Sequence, residues 1–446
     1  MAHGVEVREL TLPADALLAL AEQRPLEYPV LLDSASPGPL GRWSILAARP
    51  EQSLLCHTDD VPTAGDGFLE RLEHWWQRER QPAVDAWPFA GGWLVYLGYE
   101  LAAQIESGLR LPAAESRQLL AAALRVRAAL LRDHLQQRTF AIAEPGETAL
   151  LQQVVADARA AEPLQPLARA APLSLLEDEP GQFRDAVLQA QQYIRNGDIY
   201  QANLSRAWRA PDVGSLDGAA LYRALRRANP APFAAWARLP GLELCSSSPE
   251  RLLRVKQGRV ESRPIAGTRP RSGDAQADAL QLAALLASPK ERAEHVMLID
   301  LERNDLGRVC EPGSVRVDEF MTTESYQHVH HIVSNVRGDL RADASPVAAL
   351  RAVFPGGTIT GCPKYRCMQL IGELEGRARG AYTGALGYLG RDGSMDFNIL
   401  IRTLVRANGV LELRAGAGIV ADSDWRHELQ ETRHKARGVL RALGAD

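Results

Sequence analysis

The chain has 446 residues, 46% hydrophobic and 24% charged, with a net charge of −4 and both signs interspersed. These are globular proportions, and the length is ample for one large domain or two or three smaller ones. No basic stripe marks a nucleic-acid partner, no run of about 18 apolar residues marks a membrane span, and MAHGVEVREL lacks a charged-then-apolar secretion signal. The five cysteines, Cys56, Cys245, Cys310, Cys362 and Cys367, are odd in number and contain no C-x-x-C. That pattern suits a reducing compartment, so a cytoplasmic enzyme is expected.

In chain order, YPVLLDS and GGWLVYLGY read as strands, and FLERLEHWWQRER and the Ala-, Leu- and Arg-rich run around 115–135 as helices. Prolines at 163, 166, 172 and 180 break any periodic element. A linker is therefore placed at 161–182, between an N-terminal region, 1–160, and a denser unit, 183–446. That unit opens on a helix, FRDAVLQAQQYIRNGD, with Phe183, Val187, Ala190 and Ile194 on one face and Gly197 at its end. LSRAWRA, GRVESRP, HVHHIVSNVR, GALGYLG, ILIRTLVRA and VLELRAG follow as strands, and 289–305, 363–375 and 424–443 as helices. Strands in succession joined by short turns give an α+β class, antiparallel sheets flanked by helices.

Two helices carry paired carboxylates. Ser288-Pro289-Lys290-Glu291 opens one with an N-cap serine, proline at the first position and glutamate at the third, and presents Glu291 and Glu294 on one face. The C-terminal helix, begun near Asp422 or Ser423 and closed by Gly444, repeats the spacing with Glu428 and Glu431. Aimed at a common point, the four would make an all-oxygen site of the kind Mg²⁺ prefers, whereas singly each pair reads as a solvated helix face. In SYQHVHHIVSNV, alternation turns His331 inward with Val329 and Val333 and His330 the other way, while a zinc reading of His328, His330 and His331 lacks a carboxylate or cysteine ligand nearby. FPGGTITGCPK has Gly356 and Gly361 at Walker spacing but continues Cys362-Pro363-Lys364, which disfavours a nucleotide. Exposed glycine amides and a helix starting at Pro363 still suit an anion, with Lys364 placed to bind charge. RAGAGIVADS offers the amides of Gly416 and Gly418 likewise, and Arg402 completes a carboxylate clamp. Each of these glycines, taken alone, also reads as a tight turn.

GDIYQANLSR, SSSPERLL, SRPIAGTRPR, ERAEHVMLIDLERNDLGR, VHHIVSNV, FPGGTITGCPK, MDFNILIRT and AGAGIVADS occur in this order over residues 181–445. Together they resemble the chorismate-binding domain shared by anthranilate, aminodeoxychorismate, isochorismate and salicylate synthases. The resemblance implies two packed antiparallel sheets flanked by helices, with chorismate and Mg²⁺ between them. It implies that Glu294 and Glu431 hold the metal with Glu291 and Glu428 in support, that Glu250 is the general acid, and that His331 faces the ring. Gln201 and Lys364 join these as catalytic candidates. Ala266, Thr268, Thr358, Tyr382, Arg402, Gly416, Ala417 and Gly418 are the substrate-binding set. The N-terminal region (LLDSAS, GRWSILA, GGWLVYLGYEL) and NPAPFAAW resemble the part that builds a tryptophan pocket, which points to Ser34, Asn229, Pro230 and Phe233.

Water-using members place a lysine base where this chain has Gln201, so the resemblance implies ammonia as nucleophile. No nucleophilic-cysteine amidotransferase segment is evident, so a separate glutaminase subunit is expected. Asn203, the double glycine of FPGGT, MDFN and a compact N-terminal region resemble the aminodeoxychorismate-forming members of the p-aminobenzoate and folate route. Ala266 instead resembles the anthranilate-forming members of the tryptophan route, since the former carry lysine there. A non-catalytic tryptophan or chorismate sensor is the reading from another class, and the intact set of acid, metal and carboxylate residues argues against it.

Overall fold

The structure, a computed structural model, describes residues 4–444 except 37, 39, 61–64, 84–85, 114–116, 167–172, 212–216 and 326–328; the side chains of Pro211, Thr268, Pro270, Lys290 and Val329 are also outside the described set. His328, the side chains of Thr268 and Val329, and part of the 161–182 linker therefore lie outside it.

Among the described residues, twelve strands form the larger sheet. Its order is Glu6–Leu10, Arg138–Ala143, Ala128–Asp133, Trp43–Ala48, Val30–Asp33, Phe233–Leu239, Leu242–Ser248, Thr403–Ala407, Val410–Ile419, Gln201–Pro211 and Gly361–Cys362, with Leu176–Glu177 also beside Gln201–Pro211. Ten strands form the second sheet, in the order Ile265–Pro270, Val329–Asp339, Arg259–Ser262, Arg251–Lys256, Met395–Ile399, Ala385–Gly390, Gly92–Leu97, Leu119–Val126 and Gln52–His57, with Arg316–Ser325 also on Val329–Asp339. The pairings are antiparallel and helices cover the outer faces, the α+β plan expected. Strands from both sides of the linker are neighbours in each sheet: Val30–Asp33 lies on Phe233–Leu239, and Gly92–Leu97 on Ala385–Gly390. The division at 161–182 is thus one of sequence, and the two stretches build a common pair of sheets. Pro180 breaks nothing; it is the first residue of the helix Pro180–Arg195.

Strand alternation sorts the core into layers. Trp93, Val95 and Leu97 pack outward with Phe68, Leu72 and Leu350 of two helices, while Leu94 and Tyr96 enter the layer between the sheets with Ile45, Ala47 and Ala235. Leu119–Val126 is treated the same way, Ala121 and Ala123 outward, Ala122 and Leu124 inward, and is buried at every position. This corrects the helix expected around 115–135, which is two consecutive strands, Leu119–Val126 in the second sheet and Ala128–Asp133 in the larger one. With neither face in water the polar–apolar alternation disappears, and pairing on both sides overrides the helical preference of Ala, Leu and Arg.

ILIRTLVRA is likewise two strands. Met395–Ile399 belongs to the second sheet and Thr403–Ala407 to the larger one, and the chain crosses between them at Leu400–Arg402, where Arg402 has φ +51°. The helix start at Ser288 is as expected, and Gly444 (φ +73°) follows the C-terminal helix. That helix is capped by Asp424, whose carboxylate accepts from the amides of Arg426 and His427. The five cysteines are free thiols, and among the described residues no helix is long and apolar enough to cross a membrane.

Candidate active site

Two sheet-to-sheet crossovers run side by side and set the site. One lies between Leu242–Ser248 and Arg251–Lys256 and carries Glu250; the other is Leu400–Arg402. They are stitched together by the Ser248 hydroxyl donating to Ile399 O (2.6 Å), the Ile399 amide to Glu250 O (3.1 Å) and the Ser247 amide to Arg402 O (3.1 Å). Glu250 is buried, and burial pushes its carboxyl up to about 7, helped by Glu302 and opposed by Thr358, Lys435 and Arg402. Neither Glu250 Oε1 nor Thr358 Oγ1 has a hydrogen-bond partner among the described residues, although Thr358 faces the carboxyl. A carboxylic acid in that state holds a proton near neutrality and can give it up.

His331 sits opposite, on the strand Val329–Asp339. The bulge at Gly267 (φ +65°), between Ala266 and Thr268, turns a carbonyl to its Nδ1 at 3.3 Å. A carbonyl only accepts, so Nδ1 carries the hydrogen and Nε2 is the acceptor. Burial first, then Arg402, drives the imidazole down to about 3, which keeps it neutral. His330 faces outward to Ser325 (2.7 Å) and Asp278, on the other side of the strand as alternation requires. Tyr382 is clamped between two guanidinium groups, Arg379 at 5.5 Å and Arg414 at 5.6 Å from its ring, both bound to buried Glu375.

The floor is glycine. Gly416 and Gly418 lie opposite Ser205 and Asn203, whose own amides point away, to Glu375 Oε1 (2.8 Å) and Thr360 O (2.9 Å). These are non-hydrogen-bonded pairs, so the glycines turn their N–H and C=O groups to the opposite edge. There the neighbouring strand has stopped, its last pair being Leu404 with Leu413. A carboxylate at that edge would meet two unclaimed amide directions, presented by a strand and not by the tight turn that the glycine spacing allowed. Ala417, between them, packs its side chain into the core with Ala202, Leu204 and Leu429. Ala266 is buried, paired with Ile332.

The glutamates are gathered only in part. Glu294 is half-buried, accepts from Gln201 Nε2 at 3.0 Å, and is raised first by desolvation and then by the like charges of Glu291 and Glu431. Glu291 also meets Arg269 (3.4 Å), Glu428 accepts from Ser423 (2.7 Å), and Glu431 is paired with Lys435 (2.7 Å). Among the described residues no three His, Cys, Asp or Glu side chains stand close enough to hold a metal. Sequence reading missed Lys435, which lies one turn after Glu431, donates to Gly416 O (3.0 Å) and faces Glu250, His331, Glu294 and Tyr382. The signal was there: 428, 431 and 435 share a helix face. Lys364 points elsewhere, its ammonium held by Asp305 and by Val353 O (3.0 Å) in a buried pocket with Glu302.

Away from this seam, a cavity of about 490 Å³ is lined by Ser34, Trp43, Phe233, Arg251, Tyr388 and Asp396 among others. Arg251 and Asp396 form a two-bond pair in its wall (2.8 and 2.9 Å). Asn229 instead bonds Ser247 Oγ (2.8 Å) and packs beside Gly438, and neither it nor Pro230 lines the cavity.

A crossover acid, a neutral histidine, a clamped tyrosine and a glycine floor are the equipment of an enzyme acting on a small carboxylated ring. The family model for chorismate binding enzymes matches residues 29–441, and the chain belongs to that family. It is 42% identical to aminodeoxychorismate synthase component 1 of Klebsiella aerogenes over 90% of each chain. It is 40% identical to anthranilate synthase component 1 of Thermus thermophilus over 98% of this chain and 96% of that one. The crystal structure of anthranilate synthase component I from Streptococcus pneumoniae superposes with a TM-score of 0.79 at 32% identity, covering 91% of this chain and 93% of that one. This is a chorismate-utilising enzyme of the anthranilate and aminodeoxychorismate synthase type.

A Cβ on Gly418 would stand 2.3 Å from Gln201 Nε2, and one on Gly416 would stand 2.5 Å from Asn203 Oδ1 and 2.7 Å from both Leu204 O and Tyr382 Oη. Gly416→Ala is therefore expected to fold and to weaken chorismate binding about tenfold or more, because a backbone oxygen cannot step aside. Titration calorimetry checks this, and wild-type affinity would show that the floor is not where chorismate lies.

Proposed function

We propose that the chain aminates chorismate with ammonia delivered by a glutaminase subunit, giving 4-amino-4-deoxychorismate for p-aminobenzoate and folate synthesis. One observation carries the ammonia reading: at the seam the residue facing Glu294 is a glutamine. A carboxamide cannot take a proton from water, so the nucleophile must be one that attacks without prior deprotonation, as neutral ammonia does. Glu250 supplies the proton that turns the departing hydroxyl into water. Arg402, Lys435 and the glycine amides receive the two carboxylates of the substrate.

Mg²⁺ fits the donor set, since a half-buried carboxylate raised first by desolvation and then by its like-charged neighbours is relieved by a cation. Glu294 and Glu431 would hold it with Glu291 and Glu428 in support, and Glu431 would exchange Lys435 for the metal. Bound there, the ion would draw electron density toward the ring carboxylate. The cavity at Ser34 and Phe233 has the size and aromatic wall for a tryptophan, with Arg251 and Asp396 for its charged ends.

The second reading is anthranilate formation, favoured by Ala266, whose methyl group cannot serve as a nucleophile toward the ring. The same experiment separates them. The chain, chorismate, Mg²⁺ and ammonium are incubated and the product is identified by mass and fluorescence. Aminodeoxychorismate, which retains the enolpyruvyl group, is expected, and anthranilate as sole product would sink the first reading. Glutamine is expected to be inert until a glutaminase is added. With ammonia omitted, intact-protein mass spectrometry should show the unmodified chain, and an adduct of dehydrated chorismate on any lysine would contradict direct amination.

A further inference from the structure

Two carboxamides on one face of the strand Gln201–Pro211 have buried oxygens with no hydrogen-bond partner among the described residues. They are Gln201 Oε1, in a residue 3% exposed, and Asn203 Oδ1, in a residue 8% exposed. Residues two apart on a strand point the same way, about 7 Å apart. Both side chains lie over the glycine floor, Gln201 against Gly418 and Asn203 against Gly416.

The orientation of Gln201 is set chemically. Its amide nitrogen donates to the Glu294 carboxylate, so its oxygen is the atom left over. Asn203 spends its backbone N–H on Thr360 O and its backbone C=O on Arg379 Nη2 (2.6 Å), and its carboxamide bonds no other described residue. Natural proteins seldom bury one acceptor unpaired, and two side by side beside a substrate site call for a ligand that brings hydrogens. The carboxylates of chorismate bring none. Neutral ammonia brings three N–H bonds and one lone pair.

We infer that Gln201 Oε1 and Asn203 Oδ1 form the seat of the ammonia nucleophile, each accepting one N–H so that the lone pair faces the bound ring. The inference rests on the ammonia reading above. As that lone pair forms the C–N bond, the ring C–O bond breaks, its electron pair leaves with the hydroxyl, and the Glu250 proton completes a water molecule. The new ammonium group then returns one proton to the Glu250 carboxylate and becomes the neutral amine. The two carbonyl dipoles are aimed where positive charge develops on nitrogen. A water molecule in the same seat finds no base, which keeps hydroxylated product low.

The test uses the full chain with chorismate, Mg²⁺ and a series of ammonium chloride concentrations, without glutaminase. Asn203→Leu keeps the size of the side chain and removes the acceptor. The KM for ammonia is expected to rise at least tenfold while the KM for chorismate stays within twofold, and Asn203→Ser, which restores an acceptor on a shorter arm, is expected to fall between. Asn203→Ala is read by the same two constants if the leucine does not pack. A rise in the KM for chorismate alone, or an equal rise in both, would show that Asn203 holds the substrate and would overturn the seat. Absence of ammonia-dependent chorismate consumption by the wild type would instead remove the ammonia reading itself.

Discussion

Glu294→Gln is expected to lower Mg²⁺-dependent chorismate turnover about 10²–10³-fold while the chain stays folded, since several kcal/mol of transition-state stabilisation from a metal correspond to two or three factors of ten. The residue combines three properties that its neighbours divide. It is half-buried and desolvated, it touches Gln201, and it carries the like-charge load of Glu291 and Glu431. Removing its charge relieves that load without opening a cavity, so thermal stability without metal should hold or rise. Binding of Mg²⁺ should weaken in parallel, read by titration calorimetry in the presence of chorismate. A variant with more than a tenth of wild-type turnover and an unchanged Mg²⁺ dependence would remove Glu294 from the metal set.

The helices around the site were legible where their signals are local. Ser288 accepts from the amide of Glu291, Pro289 opens the turn, and Phe183, Val187 and Ala190 are buried on one face as their spacing requires. What was not legible depends on partners distant in sequence. Leu119–Val126 looks helical alone and is a strand only because Gly92–Leu97 and Gln52–His57 pair with it on either side. The break at Arg402 exists because one sheet hands the chain to the other. Lys364, beside an anion-like loop in sequence, is captured by Asp305 some sixty positions earlier, as the separation of 59 shows. Lys435 was passed over because a lysine on a C-terminal helix is ordinarily a solvated charge. Asn203 was noted as a mark of resemblance; its orphaned oxygen needed the glycine strand opposite to become visible.

Glu250→Gln should move activity and stability in opposite directions. The carboxyl is held near 7 against an ordinary 4.5, chiefly by burial. Its acid role is therefore available below that pH and is lost as pH rises through it, so kcat at fixed free ammonia should fall toward tenfold per unit above about pH 7. Glutamine has no proton to give, and kcat is expected to drop about 10²–10⁴-fold and to lose that descending limb. Stability follows the same two values. The folded state keeps a proton that the unfolded chain has released, so wild-type stability declines as pH rises from about 4.5 to about 7, by roughly 1.4 kcal/mol per unit and about 3 kcal/mol in all. The glutamine variant carries no such term. It should match the wild type near pH 4 and unfold at higher urea at pH 8, the signature of a residue kept for chemistry at a cost in stability. Equal pH dependence of the two proteins in urea, together with retained kcat, would show that Glu250 is a packed carboxylic acid with no part in the reaction.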